Sequence, residues 1–413
     1  MSVTDRSLAE AIVGPTAARS PRDRVVTPDD RWTRRDFLSA TAIGLVGVAW
    51  RGVDVSGADE QLAYVGTYTT DGRSEGIYRL RLDAASGALR IDGLAVKAAN
   101  PSYLALHPNG RVLYAVNEVS EFRGEATGAV SAFAIAQKSG ALTLINQQAS
   151  QGKAPCYVSV DRTGAVVLVA NYGGGSIATL PVRRGGGLEI ARNVVKHAGT
   201  GGDPVRQSAP HAHCVVTDPD NRFVLAVDLG IDAVLTYRFD VRAAAITVAP
   251  SGAAMKPGAG PRHLAFHPSG RYVYVVNELD STLAAYSYDA ERGALAELQV
   301  TAASPGGTVA DNHPADVHVA ASGRFLYASN RGDDTIAVFA IDAATGHLTP
   351  VQQVPSGGKG PRNFSLDPTG RFLVAANQKS DNVVSFRVDP DTGRLTPTGS
   401  TIDLASPVCV RFR

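Results

Sequence analysis

Residues 261–278 read PRHLAFHPSGRYVYVVNE: an apolar run, a His-Pro-Ser-Gly turn, and a second apolar run that stops at Asn277. Two short strands folded back on each other account for that pattern. The same stretch is written again from Pro101 (PSYLALHPNGRVLYAVNE), Pro155 (PCYVSVDRTGAVVLVANY), Pro314 (PADVHVAASGRFLYASNR) and Pro361 (PRNFSLDPTGRFLVAANQ). In each of these copies the opening proline and the closing asparagine stand 16 residues apart, and the turn glycine falls 9 after the proline. A looser copy from Pro210 (PHAHCVVTDPDNRFVLAVD) is two residues longer and ends on Asp228. Copies recur every 47 to 57 residues by their closing Asn or Asp, which marks a repeat architecture and not a string of separate domains.

Between copies the chain stays β-like. After Asn277 come STLAAYSYD, a turn at Gly293, and ALAELQV; after Asn330 come DTIAVFAID, Gly346 and HLTPVQQV; after Asn377 come NVVSFRVD, Gly393 and RLTPTG. Each repeat therefore supplies four short strands with tight connections, an antiparallel up-and-down sheet. Radial stacking about an axis is one way for such sheets to bury their faces and protect their edges. Six repeats open at Pro101, Pro155, Pro210, Pro261, Pro314 and Pro361, while the β segment from Leu62 holds only the last three strands of a unit. The missing strand is expected at the other end, where PVCVRF begins at Pro407. The expected fold is all-β, a seven-bladed β-propeller over residues 59–413, with Val408 to Phe412 as the innermost strand of the first blade.

Composition agrees with one large ring. Of 413 residues 44% are hydrophobic, the formal net charge is +1, and no basic tract points to nucleic acid. Cys156, Cys214 and Cys409 sit in strand-like runs without metal-ligand spacing and read as small buried residues. Residues 1–58 differ in character: TRRDFLSATAIGLVGVAW from Thr33 places Arg34 and Arg35 ahead of Phe37, Leu38 and a mild apolar run, the order of a twin-arginine export signal. The run is short for a membrane span. Cleavage between Ala49 and Asp59 is expected to release a protein with no membrane anchor into the periplasm or medium, with the twin-arginine machinery as the precursor's partner. If the signal goes unused, the protein stays cytoplasmic.

In an up-and-down blade the first strand begins at the end of the sheet where the second finishes, so both places share one rim near the axis. Strand starts there contribute Tyr103, Tyr157, His211, His213, Arg262, His263, Arg362 and Asn363. Strand-two ends contribute Thr67, Tyr68, Asn117, Glu118, Asn171, Tyr172, Asp228, Asn277, Glu278, Asn330, Arg331, Asn377 and Gln378. His107 and His267 fall in turns on the opposite rim. The recurring asparagines read first as strand-end hydrogen-bonding groups. Against that background His211, His213, Arg262, Glu278, Arg331 and Arg362 stand out, gathered between Pro210 and Arg362. An irregular insert, HAGTGGDPVRQSA from His197 to Ala209, precedes them and carries Arg206 onto the same rim, as a lid, a specificity loop or a plain excursion.

The motifs PHAH at Pro210, GPRHLAFHPSGRYVYVVNEL at Gly260, ASGRFLYASNRG at Ala321 and GPRNFSLDPTGRFLVAANQ at Gly360 resemble those of the seven-bladed propeller lactonases. That family contains the propeller-type 6-phosphogluconolactonase and the fungal carboxy-cis,cis-muconate cyclase. The resemblance spans Ala63 to Phe412 and implies that His213, Arg262, Glu278 and Arg331 occupy the family's proposed active site. Family members acting on sugar phosphates are cytoplasmic, so the export signal sets a phosphorylated substrate in question.

These residues allow lactone hydrolysis. Arg262 and Arg331 supply fixed positive charge to an oxyanion or carboxylate. Glu278, among arginines, orients them and is a weak base; His213, titrating near neutrality, is the expected general base, with His211 as substitute if the longer repeat shifts the register. His211, Arg362, Asn277, Asn330 and Arg206 are expected substrate-binding groups. An Arg-Glu-Arg network that merely ties blades together is the structural alternative. No Gly-x-Ser-x-Gly nucleophile and no Cys-His pairing stand out, and no metal-ligand set clearly converges, so neither covalent catalysis nor a metal or other cofactor is expected. Two further readings remain open at this level: a cycloisomerase that forms a lactone from an unsaturated dicarboxylate, and a non-catalytic propeller that binds a ligand or protein on its rim.

Overall fold

A computed structural model describes residues 60–307 and 311–413. The leader expected over residues 1–58, with Arg34 and Arg35, lies outside the described residues. Among the described residues seven antiparallel sheets of four strands follow one another, and the only helical pieces are the short turns Leu229–Ile231 and Gln378–Ser380. Blade 5 shows the common order, Pro261–Phe266, Tyr272–Asn277, Thr282–Asp289 and Ala294–Ala302. Blade 1 is assembled from both ends of the ring. Its first strand is Pro407–Phe412, which pairs antiparallel with Glu60–Thr67 in the register Ala63↔Phe412, Val65↔Val410 and Gly66↔Cys409. The closure expected from PVCVRF is therefore the closure found.

First strands of successive blades face one another about the axis and are bonded in sequence. Ser159 Oγ donates to Val215 O at 2.7 Å, Arg262 Nε to Ala315 O at 2.8 Å, Val410 N to Asn363 Oδ1 at 2.7 Å and Arg411 Nε to Leu104 O at 3.0 Å. Farther out, a second contact recurs between neighbours. The buried phenols of Tyr64, Tyr114, Tyr274 and Tyr327 each donate to a hairpin glycine carbonyl of the next blade, at Gly140, Gly186, Gly346 and Gly393, over 2.8 to 3.0 Å. A buried phenol needs such an acceptor, and repeating it locks blade to blade. Gly140 shows why glycine stands at the receiving turn: its φ is 71°, and a Cβ there would lie 2.4 Å from Leu62 Cδ2.

The recurring asparagines work in the same way. Asn117, Asn171, Asn330 and Asn377 donate through Nδ2 to Ala99 O, Ser150 O, Ala303 O and Ser356 O, carbonyls at the end of the preceding blade, at 2.8 to 3.1 Å. Their periodicity thus records how blades are stitched together. His107 and His267 behave as turn residues too, with Nε2 3.1 Å from Gly164 O and 2.9 Å from Gly323 O in the next blade's turn.

Candidate active site

One irregularity repeats at the start of the innermost strands. Pairing skips a residue between Pro155 and Tyr157, between Ala212 and Cys214, between Pro261 and His263, and between Pro361 and Asn363. Such a bulge frees a side chain from the two-fold alternation of a strand and re-aims it. The freed residues are Cys156, His213, Arg262 and Arg362, and all four line a cavity of about 410 Å³ at the axis. Residues just past the closing Thr67 or asparagine of the second strands, Tyr68, Glu118, Tyr172, Glu278 and Arg331, complete the wall together with His313 and Arg206. Every blade contributes, so the cavity sits at one mouth of the central channel.

Glu278 is the centre of charge. Its Oε2 accepts from Arg262 Nη1 at 2.5 Å and from Arg331 Nη2 at 2.8 Å, while Oε1 accepts from Arg206 Nη2 at 2.8 Å. Burial alone would raise its pKa, but Arg331, Arg262, His213 and the Arg206 hydrogen bond outweigh burial and hold the carboxyl well below the ordinary glutamate range. Arg331, pushed down to about 9 by burial and by Arg262 against the pull of Glu278, remains a cation at neutral pH. Its Nε also donates to His313 O at 3.0 Å, and Arg262 Nε is held by Ala315 O, so both guanidiniums are fixed in place. Arg362 differs. Nη2 donates to Tyr68 OH at 2.9 Å and the guanidinium lies over the Tyr68 ring at 5.4 Å, which leaves the rest of its fork to the cavity.

His213 is 3% exposed, and its Nδ1 lies 3.6 Å from Cys156 Sγ, which leaves Nε2 as the nitrogen available to the cavity. Burial, Arg262 and His263 depress its pKa well below 6.5. The side chain is therefore neutral throughout the neutral range, which corrects the expectation that it titrates near pH 7. The contact with Cys156 also corrects the expectation that no Cys-His pairing exists. That thiol is no ready nucleophile, because burial raises its pKa and Glu118 adds to the rise. Below the cavity, Tyr103 and Tyr157 stack with centroids 4.1 Å apart. Beside them buried Asp316 accepts from His263 Nδ1 at 2.7 Å, His318 Nε2 at 3.0 Å and Asn363 Nδ2 at 2.5 Å, a polar floor that sets the His263 ring 5.2 Å from that of His213.

Of the residues expected here, the structure brings together His213, Arg262, Glu278, Arg331, Arg362 and Arg206. It does not bring His211, Asn277 or Asn330 into the cavity. His211 donates from Nδ1 to Tyr172 O at 3.0 Å and stacks on the Tyr172 ring, because the two extra residues of that repeat put His213 at the bulge. Asn277 bonds Thr282 Oγ1 at 2.8 Å, and Asn330 holds Ala303 O. The sequence placed Tyr68, Glu118 and Tyr172 on this rim without assigning them a role, gave Cys156 only as a small buried residue, and did not point to His313. The first two and Tyr172 were visible as departures from the repeat directly after the closing residue; Cys156 was hidden by its resemblance to a core position. The insert is anchored and not free: Gln207 Nε2 donates to Leu229 O and to Asp232 Oδ1, each at 2.6 Å, while Asp203 Oδ1 accepts from the Arg206 amide at 2.9 Å.

Comparison with known proteins places this geometry. The family described as "Lactonase, 7-bladed beta-propeller" matches residues 62–412. A 6-phosphogluconolactonase of Bacillus subtilis is 41% identical over 351 residues, 85% of this chain and 98% of its own. A 6-phosphogluconolactonase of Formosa agariphila is 33% identical over 316 residues, covering 74% of this chain and 86% of its own. The solved structure of a periplasmic gluconolactonase from Pseudomonas aeruginosa superposes with a TM-score of 0.80 at 36% identity, over 86% of this chain and 99% of that one. With a ring of seven blades closed by its C-terminal strand and a match along its whole length, the chain belongs to the seven-bladed β-propeller lactonase family.

Proposed function

We propose that the protein hydrolyses a sugar lactone, or a related small lactone, to the hydroxy acid. The observation that carries this reading is the convergence of neutral His213 with Glu278 and its three guanidinium partners in one axial cavity. Water attacks the lactone carbonyl and gives a proton to His213 Nε2, while the oxyanion is held by the free donors of Arg362 and the fixed cations beside it. A histidine with so depressed a pKa is a reluctant base but, once protonated, a strong acid. The Glu278 carboxylate steadies the imidazolium, which returns its proton to the ring oxygen as the acyl–oxygen bond breaks. The carboxylic acid so formed gives its remaining proton to solvent, and the carboxylate is left against the arginines. Glu278 itself stays ionised and orients Arg206, Arg262 and Arg331.

Export through the Arg34-Arg35 leader is part of the same reading. The order of Arg34, Arg35, Phe37 and Leu38 supports it, as does the likeness to a periplasmic gluconolactonase. Acid release from glucono-δ-lactone, its 6-phosphate and unsubstituted lactones, followed at constant pH with residues 59–413, tests the activity. Hydrolysis of a sugar lactone well above the spontaneous rate is expected; no acceleration with any lactone overturns the reading. Mass mapping of the N-terminus in the native host tests the location: a start between Ala49 and Asp59 is expected, and an intact leader contradicts export.

A further inference from the structure

The cavity holds a second carboxylate that the proposed hydrolysis does not use. Glu118 lies in blade 2, three blades away from Glu278 in blade 5, and is bound in a different way. Where three cations donate to Glu278, only hydroxyls donate to Glu118, and Arg362 acts on it through charge alone: Oε2 accepts from Tyr68 OH at 2.9 Å and from Ser102 Oγ at 2.5 Å. Tyr68 can donate to Glu118 because its oxygen in turn accepts from Arg362 Nη2 at 2.9 Å, so a guanidinium, a phenol and a carboxylate from blades 7, 1 and 2 form one chain. Ser102 is 3% exposed and fixes the carboxylate from behind. Among the described residues no donor is bonded to Oε1, and the side chain forms part of the cavity wall.

An oriented carboxylate with one oxygen held and the other open is an acceptor for neutral O–H donors, and such charge-assisted bonds are among the stronger ones. It repels an anion. The cavity is thus graded: the side with Arg206, Arg262 and Arg331 takes the reacting carboxyl centre, Arg362 stands between and turns its free donors to that centre, and the side with Glu118 takes hydroxyl groups. From this juxtaposition we infer that Glu118 binds a ring hydroxyl of the substrate and selects polyhydroxylated lactones over plain ones. The inference rests on the lactonase reading and adds to it the residue that recognises a hydroxyl. A site built to bond a hydroxyl discriminates strongly against an analogue that lacks it, because its own polar group is then left unpaired.

Steady-state kinetics with glucono-δ-lactone and its single-deoxy analogues, on wild type and Glu118→Gln, tests this. In wild type one deoxy position is expected to lower kcat/KM by about 10- to 100-fold, the size of a lost hydrogen bond to a charged group. In Glu118→Gln that same position should lose several-fold less, because a neutral amide replaces the charge-assisted acceptor and leaves only a weaker bond to lose. Tyr68→Phe, which removes one of the two hydroxyls holding Oε2, should reduce the same penalty by a smaller factor and serves if the glutamine variant folds poorly. An identical pattern of deoxy penalties in wild type and both variants overturns the role of Glu118. Should wild type hydrolyse none of these lactones, the lactonase reading falls, and calorimetric binding of the same compounds still decides the hydroxyl contact by the same comparison.

Discussion

Arg331 Nη2 donates to Glu278 Oε2 at 2.8 Å, joining the second strand of blade 6 to that of blade 5 across the mouth of the axial channel. Arg262 shares the same oxygen, so one carboxylate holds two buried cations that would otherwise repel. Replacing Glu278 with Gln leaves those cations without a counter-charge. Loss of one member of a buried ion cluster costs about 3–5 kcal/mol, so urea unfolding should show a marked drop in midpoint. Activity should fall at least as far as the folded fraction explains and further, since the imidazolium of His213 loses its neighbouring negative charge. An unchanged unfolding midpoint would contradict the cluster as described.

Acid should destabilise the fold before it protonates ordinary carboxylates. Burial outweighs the Asp316 contact and lowers His263 to about 4, beneath its value of about 6.5 in the unfolded chain. Between those limits the unfolded chain takes up a proton that the folded one refuses. Stability is therefore full above pH 6.5, is lost as pH falls toward 4, and levels off below it for this group, a loss of about 3 kcal/mol. His213, also depressed, acts in the same direction. Glu278 and Asp316, held below the carboxylate range, contribute stability that is present above their unfolded values and is lost at lower pH still. Chemical unfolding at pH 7.5, 5.5 and 4.5 measures the slope. His263→Asn, which keeps a donor for Asp316 and cannot titrate, should flatten it.

Removing residues 407–413 should abolish soluble folding. Val408, Cys409 and Val410 are 1%, 0% and 0% exposed, and each large apolar side chain so buried is worth about 1.5–3 kcal/mol. Loss of the strand also bares the edge of Glu60–Thr67 and the oxygen of Asn363 that accepts from Val410 N. The soluble fraction on expression checks this. A truncated chain that stays soluble, with the unfolding midpoint of the full ring, would contradict closure by the terminal strand.

Asn330→Ala separates stitching from substrate binding. Its amide bridges Ala303 O at 3.0 Å and Asn312 Nδ2 at 3.3 Å, both buried, so the variant should lose about 1–3 kcal/mol of stability with KM unchanged. Asn277, bonded to Thr282, should behave likewise.

The fold was legible because the repeat fixes the same proline, glycine and asparagine in five of the seven blades, and a strand missing at one end was present at the other. Arg262, Glu278, Arg331 and Arg362 were legible for a related reason: alignment of the repeats shows charged residues where other blades carry small or neutral ones. His211 could not be separated from His213 without the bulge, since two extra residues leave the register open. Asn277 and Asn330 were ambiguous because one amide can serve a strand end or a ligand equally well. The chain from Arg362 through Tyr68 to Glu118 was beyond reach for another reason. Its first two members are separated by 294 residues, and only closure of the ring makes them neighbours.

In the proposed mechanism His213 moves the proton of lactone hydrolysis. The most direct measurement is kcat/KM of His213→Ala on the lactone that wild type hydrolyses, with and without added imidazole, at matched circular dichroism and unfolding midpoint. A loss of about 10²- to 10⁴-fold is expected, partly restored by imidazole entering the vacated space. A folded His213→Ala protein that retains kcat/KM within twofold of wild type contradicts it.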